Sequence, residues 1–225
     1  MAKRIVIACG VIEMELNALL AEAPADSDIA LRYLDQQLHL TPEKMPDVIQ
    51  NEISRVADEA AEIVLGYGLC CNGTVGVYAP EQNLYIPLVH DCVALLLGSR
   101  QAYQKAFRER AGTYYIIPGL VKKEKDPLGL LENEYVPRLG REDAEWGIHE
   151  ELKHYSHIAL IDTGISELEP LRRRAKENAR FLGKEYAEIK GSSVYFRKIL
   201  FGPYEEPDFL CLPPAAPVRQ KPFLI

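Results

Sequence analysis

No apolar run in this sequence approaches the ~18 residues that a membrane span requires, and "MAKRIVIACG" leads straight into a strand-like segment with no secretory apolar region before it. The expectation is a cytoplasmic chain with no membrane partner. Excess positive charge is also missing: the formal net charge is −7, and the short basic groups, Lys122, Lys123, Lys125 and Arg172 to Arg174, sit among acids or on a helix pattern. Broad electrostatic binding to nucleic acid is therefore not expected. Cysteines number five, an odd count with no C-x-x-C spacing, which excludes a secreted disulfide framework and the usual dithiol motif. The glycines of "GYGLCCNGTVG" do not follow the dinucleotide fingerprint G-x-G-x-x-G. In "HEELKH", His149 and His154 are five apart, so a helix would turn them about 140° from one another rather than onto one metal. "DTG" at 162 to 164 occurs once, without the second carboxylate motif an aspartic protease needs, and no fixed-period repeat is present.

What the chain does have is a regular alternation of strand and helix patterns. "KRIVIACG", "DIALRYLD", "AEIVLGYG", "NLYIPLVHD", "GTYYIIPG", "HIALIDTG", "EYAEIKG" and "DFLCLPP" read as strands. Between them, "VIEMELNALLAEA", "TPEKMPDVIQNEISRVADEA", "CVALLLGSRQAYQKAFRER", "LEPLRRRAKENARFLG" and "SSVYFRKILFG" read as helices, with Pro46 bending or delaying the start of the second. Strands that alternate with helices predict an α/β fold, a mostly parallel, doubly wound, Rossmann-like sheet with helices on both faces. One domain over residues 1–225 is expected, with two apposed lobes as the alternative. Residues 121–145 read as an inserted loop, and 213–225 as a Pro-rich tail packed on the body or on a partner.

Ligands of open parallel sheets bind outside the carboxyl ends of the strands. Cys9 ends the first predicted strand, Cys70 and Cys71 follow the third, and His90, Asp91 and Cys92 follow the fourth, so residues over 80 positions apart fall on one edge. Thiols and imidazole together are ligands for soft or borderline metals. The plain alternative is that these cysteines are small core residues. Of the vicinal pair, Cys70 is the expected ligand and Cys71 the packing residue, with glycines allowing the turn between them and the strand. Cys211, in "FLCLPP", reads as a buried core thiol. A helix starting behind Cys92 is expected to lower its pKa, Asp91 to cap that helix or orient His90, Glu13 to be a carboxylate behind the ligands or a surface residue beside Glu15, and His39 to reach the same edge. Asp162, at the end of its strand, is a further candidate for ligand contact.

The segments "IACGVIEMEL", "LHLTPEKM", "VLGYGLCCNGTVG", "IPLVHDCVALLLGS", "GTYYIIPG", "LIDTG" and "FLCLPP" stand in an order that resembles the domain of unknown function 1638 family over nearly the whole chain. The resemblance marks Cys9, His39, Cys70, His90, Asp91 and Cys92. It also implies a setting in anaerobes, near genes for corrinoid-dependent methyl transfer. Two features depart from the family pattern: Cys71 stands where a small residue is usual, and "PPAA" where a Pro-Gly turn is usual.

The functional expectation is a metal site of Cys9, Cys70, His90 and Cys92, serving corrinoid-linked or one-carbon metabolism. Zinc is the first expectation for the metal, and an iron–sulfur cluster, cobalt or a corrinoid are the alternatives. If the protein is an enzyme, a metal-dependent methyl transfer is the expected chemistry, with a small molecule or a corrinoid protein as partner. The competing readings are a carrier or assembly protein without turnover and a thiol redox enzyme.

Overall fold

The structure is a computed structural model, and residues 3–224 are described. Its elements in chain order are β1 (Arg4–Cys9), α1 (Glu13–Ala21), β2 (Ile29–Leu34), α2 (Met45–Val56), β3 (Glu62–Gly66), β4 (Asn83–Pro87), α3 (Cys92–Leu97), α4 (Arg100–Glu109) and β5 (Thr113–Ile116). A helical stretch follows, α5 (Pro118–Lys122), α6 (Pro127–Leu130), a π-helical turn at Leu131–Tyr135, α7 (Val136–Leu139) and α8 (Arg141–Glu151). The chain then forms β6 (His157–Asp162), α9 (Leu168–Leu182), β7 (Glu185–Lys190), α10 (Val194–Phe201) and β8 (Phe209–Leu212). The fold is α/β and mostly parallel, as the alternation predicts. No helix among the described residues is long and apolar enough to cross a membrane.

The chain divides into two compact units, the first made of residues up to Ser99 together with those from Ser193 onward, the second of Arg100–Ser192. The strands accordingly form two sheets, ordered β2-β1-β3-β4-β8 and β5-β6-β7. The reason lies at β4. Its outer edge is taken by β8, which pairs antiparallel from Leu84↔Leu212 to Pro87↔Phe209, so β5 has no free edge there and begins a sheet of its own. The long helix expected from Cys92 is likewise two helices, because Gly98 ends α3 in the left-handed conformation with φ 80°.

In the first unit β1, β3 and β4 are parallel, and Ile5, Ile7, Ile63 and Leu65 bury one face against Met45, Ile49, Ile53 and Val56 of α2. A three-residue turn over Pro42–Lys44 precedes α2, which is the delay that Pro46 predicts. The Pro-rich tail packs on this unit: Val218 and Phe223 join the same core, and Val218 exchanges backbone hydrogen bonds with Gly76 (2.9 Å) and Val77 (2.8 Å).

The second unit has its own core, in which Ile116, Ile158 and Leu160 of the sheet meet Leu171, Ala175, Ala179 and Leu182 of α9. Residues 121–145, read from sequence as a loop, are mainly helical here. Leu131 and Ala144 carry the stretch into the core, and its link to α9 is a buried polar contact: Asp126 accepts from Arg174 Nε (2.9 Å) and Asn178 Nδ2 (2.7 Å). Short, proline-started turns hid this from a periodicity reading.

Candidate functional site

Strands β2, β1, β3 and β4 run parallel, so the loops that leave their carboxyl ends share one edge. The chain goes from β1 to β2 on one side and then to β3 on the other, which places the switch in strand order beside Cys9 and Tyr67. Four loops therefore supply the site: Cys9, then Asp35 and Gln36, then Tyr67 to Asn72, then His90 to Cys92.

The loop after β3 is shaped by its glycines and by backbone pairing. Leu69 N–H donates to Val89 O (2.9 Å) and Cys70 N–H to His90 O (2.8 Å), so the β3–β4 pairing continues past the strands and sets Cys70 beside the "HDC" loop. This approach leaves no room at Gly68, where a Cβ would lie 2.6 Å from Val89 O. The chain then turns through three successive left-handed residues, Cys70 (φ 47°), Cys71 (φ 56°) and Asn72 (φ 68°). Each cysteine in that conformation costs about 1–2 kcal/mol. Surrounding bonds hold the turn: Gly73 N–H donates to Cys70 O (2.9 Å), Val75 N–H to Asn72 O (3.0 Å), and the buried Thr74 hydroxyl to Gly68 O (3.1 Å). Strain held in place by its surroundings is a mark of functional loops.

Tyr67 lies at the centre. It is 2% exposed, and its hydroxyl has no hydrogen-bond partner. Burial drives its pKa well above the usual value, and the neighbouring Cys9, Cys70, Cys92 and Asp35 push in the same direction. Cys70 is likewise raised, by burial first and then by Cys9, Asp91 and Cys71, with a backbone contact from Gly68 pulling the other way. For Cys92 the causes are burial, then Asp91, Cys9 and Cys70, with only its own backbone opposing. Three cysteines from three loops thus lie within electrostatic reach of one another and of one phenol. The expected lowering at Cys92 is reversed, because desolvation and the Asp91 carboxylate outweigh the six-residue helix behind it.

Asp91 is the cap of α3, its Oδ1 accepting from Val93 N–H (3.0 Å) and Ala94 N–H (3.2 Å). Cys71 is exposed and points away from packing, the reverse of the expectation for it. His90 is exposed, and it contributes its backbone carbonyl to the Cys70 contact. His39 is exposed in the turn Gln36–Leu40, with Nδ1 against Gln36 O. Glu13 is half-buried at the start of α1, while its neighbour Glu15 is fully buried with both carboxyl oxygens unpartnered. Burial raises the Glu15 pKa to about 7 against a weak opposing pull from its own backbone. Cys211 is exposed rather than core, because it sits on the outward side of the edge strand β8, its thiol donating to Tyr204 O (2.9 Å).

Among the described residues, no group of three or more His, Cys, Asp or Glu side chains is placed to hold a metal ion. The thiols suit a soft or borderline metal by donor type and by common location, and they do not form a ready-made cage. Tyr67, Asp35 and Glu15 were not picked out by sequence reasoning. For Tyr67 the available signal was its position inside "GYG", next to the cysteine turn. Glu15 carried one too, a lone acid among the apolar residues of "VIEMELNALL".

The fold and this edge define an α/β protein with a thiol-rich loop at the switch point of a parallel sheet. The chain matches the family described as "Protein of unknown function (DUF1638)" over residues 33–200, well over half its length, and belongs to that family. No curated protein and no solved structure matches it.

Proposed function

We propose that the carboxyl edge of the first unit binds a soft or borderline metal ion, zinc before iron or cobalt, through Cys9, Cys70 and Cys92, in the service of one-carbon or corrinoid-linked metabolism. The observation that carries this reading is that three thiols from three separate loops lie within electrostatic reach of Tyr67, whose hydroxyl is unpartnered, one of them on a strained left-handed turn. His90, exposed at the rim, is either a fourth ligand or a donor behind the three thiols, and an open position on the metal requires the latter. Burial keeps Cys70 and Cys92 protonated in the absence of a cation, and a bound metal favours their thiolate forms, so loading releases protons. Held with an open position, a zinc ion supplies Lewis-acid activation of a substrate thiol for methyl transfer. The link to methyl transfer rests on the family resemblance.

The test is elemental analysis with an absorption spectrum on protein purified anaerobically, comparing wild type with Cys9→Ser, Cys70→Ser and Cys92→Ser. Near-stoichiometric metal that is lost in all three variants is the expected result, and the spectrum separates colourless zinc from a coloured cluster or corrinoid. Wild-type protein that stays metal-free after incubation with zinc, iron and cobalt would sink the proposal. Binding without turnover on methyl donors would make the protein a carrier. The redox alternative is disfavoured because an attacking cysteine needs thiolate character, whereas Cys70 and Cys92 are both pushed towards the thiol.

A further inference from the structure

The second unit has its own open sheet edge, which the metal reading does not use. Strands β6 and β7 pair in parallel up to a last rung, Asp162↔Lys190, and these strand ends with the loops beyond them line an open cleft of about 310 Å³. Thr163 lines it and is 9% exposed, yet its hydroxyl is buried with no hydrogen-bond partner. Ser166 in the same loop also has a buried hydroxyl without a partner. Buried hydroxyls are normally satisfied, so two orphans in one loop single out this segment beside the cleft.

The charges around the cavity define that ligand. Glu188 is committed elsewhere: both its oxygens accept from Arg172 (2.6 and 3.0 Å), and Tyr186 donates to it as well (2.7 Å). Asp162 uses Oδ1 to accept the Gly164 N–H (2.9 Å), and its backbone carbonyl accepts from Gly191 (2.7 Å), which leaves Oδ2 for a ligand. Lys190 makes no ion pair among the described residues, although register partners in a parallel ladder face the same side at about 4.8 Å strand spacing. A carboxylate and an ammonium outside any ion pair thus stand side by side on an open cleft, next to a loop with two unsatisfied hydroxyls.

We infer that this edge binds a small zwitterion of the amino-acid type. The ligand ammonium meets Asp162 and its carboxylate meets Lys190. A cleft of this volume, at the low end of ligand sites, is matched to a small ligand.

The test uses the full chain and follows binding of glycine, L-alanine and L-serine by NMR titration, with acetate and methylamine as probes that each carry one of the two charges. At least one amino acid binds saturably, and acetate and methylamine bind about tenfold more weakly or not at all, the loss expected for one charge-assisted hydrogen bond. Asp162→Asn and Lys190→Met each weaken binding by about tenfold or more on the same grounds, and Cys70→Ser leaves it unchanged. Both charge variants alter half-buried or exposed side chains, so neither disturbs the core of the unit. No saturable binding of any of the three amino acids, equal binding of the single-charge probes, or an affinity unaltered by both charge variants would overturn the inference.

Discussion

Glu15 shows how much one buried group changes the behaviour of the protein with pH. Its carboxyl has a folded pKa of about 7 against an ordinary value of 4.5, so the folded state holds its proton more tightly than the unfolded chain does. Stability is then greatest below 4.5, falls as pH rises from there to about 7, and is level above that window. Glu15→Gln removes the slope and makes the protein more stable at pH 8 by about 3 kcal/mol, with little change at pH 4. Urea denaturation at the two pH values checks this, and equal gains at both would show that the carboxyl does not titrate as its burial implies. Tyr67 offers a complementary case. Its hydroxyl is buried without a partner, which costs about 1–3 kcal/mol, so Tyr67→Phe stabilises the chelator-treated protein by about 1 kcal/mol. The same change weakens metal uptake if the hydroxyl faces the ligand set. A competition titration against a colorimetric chelator reads that second effect.

The turn from Cys70 to Asn72 is an element whose conformation and chemistry can be separated. Glycine has no penalty at positive φ, so Cys71→Gly relieves strain at φ 56° and raises stability by about 1 kcal/mol while leaving metal content unchanged. Cys70→Ser keeps the backbone and loses the metal. A metal content that falls with Cys71→Gly and survives Cys70→Ser would reverse the assignment within the vicinal pair. Thermal denaturation and elemental analysis of the two variants decide it. In the next loop, Asp91 shows that an element boundary and a site neighbour can be one residue: it caps α3, and its charge is felt by both Cys70 and Cys92.

For the whole molecule the informative feature is the division into two units. The second is one continuous segment, Arg100–Ser192, with a parallel sheet, a helix-covered core and the Asp126–Asn178 contact all internal to it. Expressed alone, residues 100–192 are expected to fold, with dispersed NMR amide signals and a cooperative denaturation curve. A segment that stays disordered would show that its core depends on the remainder of the chain. The first unit is built from both ends of the sequence, with β8 and the tail returning to cover the β4 edge and the α2 core, so removing residues after Phe201 is a change to its interior and not a trimming of a loose end.

The alternation of apolar strands and amphipathic helices is a local property, carried by the period of the side chains, and it was legible in the amino-acid order from β1 through α10. The parallel arrangement followed from it, and with that the placing of Cys9, Cys70 and Cys92 on one edge, because each cysteine lies at the carboxyl end of a strand or in the loop after one. Other features depend on partners distant in the chain. The division into two sheets arises when β8 closes the β4 edge, a pairing of residues more than 120 positions apart. Burial of Glu15, exposure of Cys211 and Cys71, and the unpartnered state of Tyr67 and Thr163 depend on what other segments bring against them. The same holds for the direction of the thiol pKa shifts: a helix start is visible in sequence, but desolvation and the approach of Asp91 and Cys9 come only from packing, and they are the larger forces.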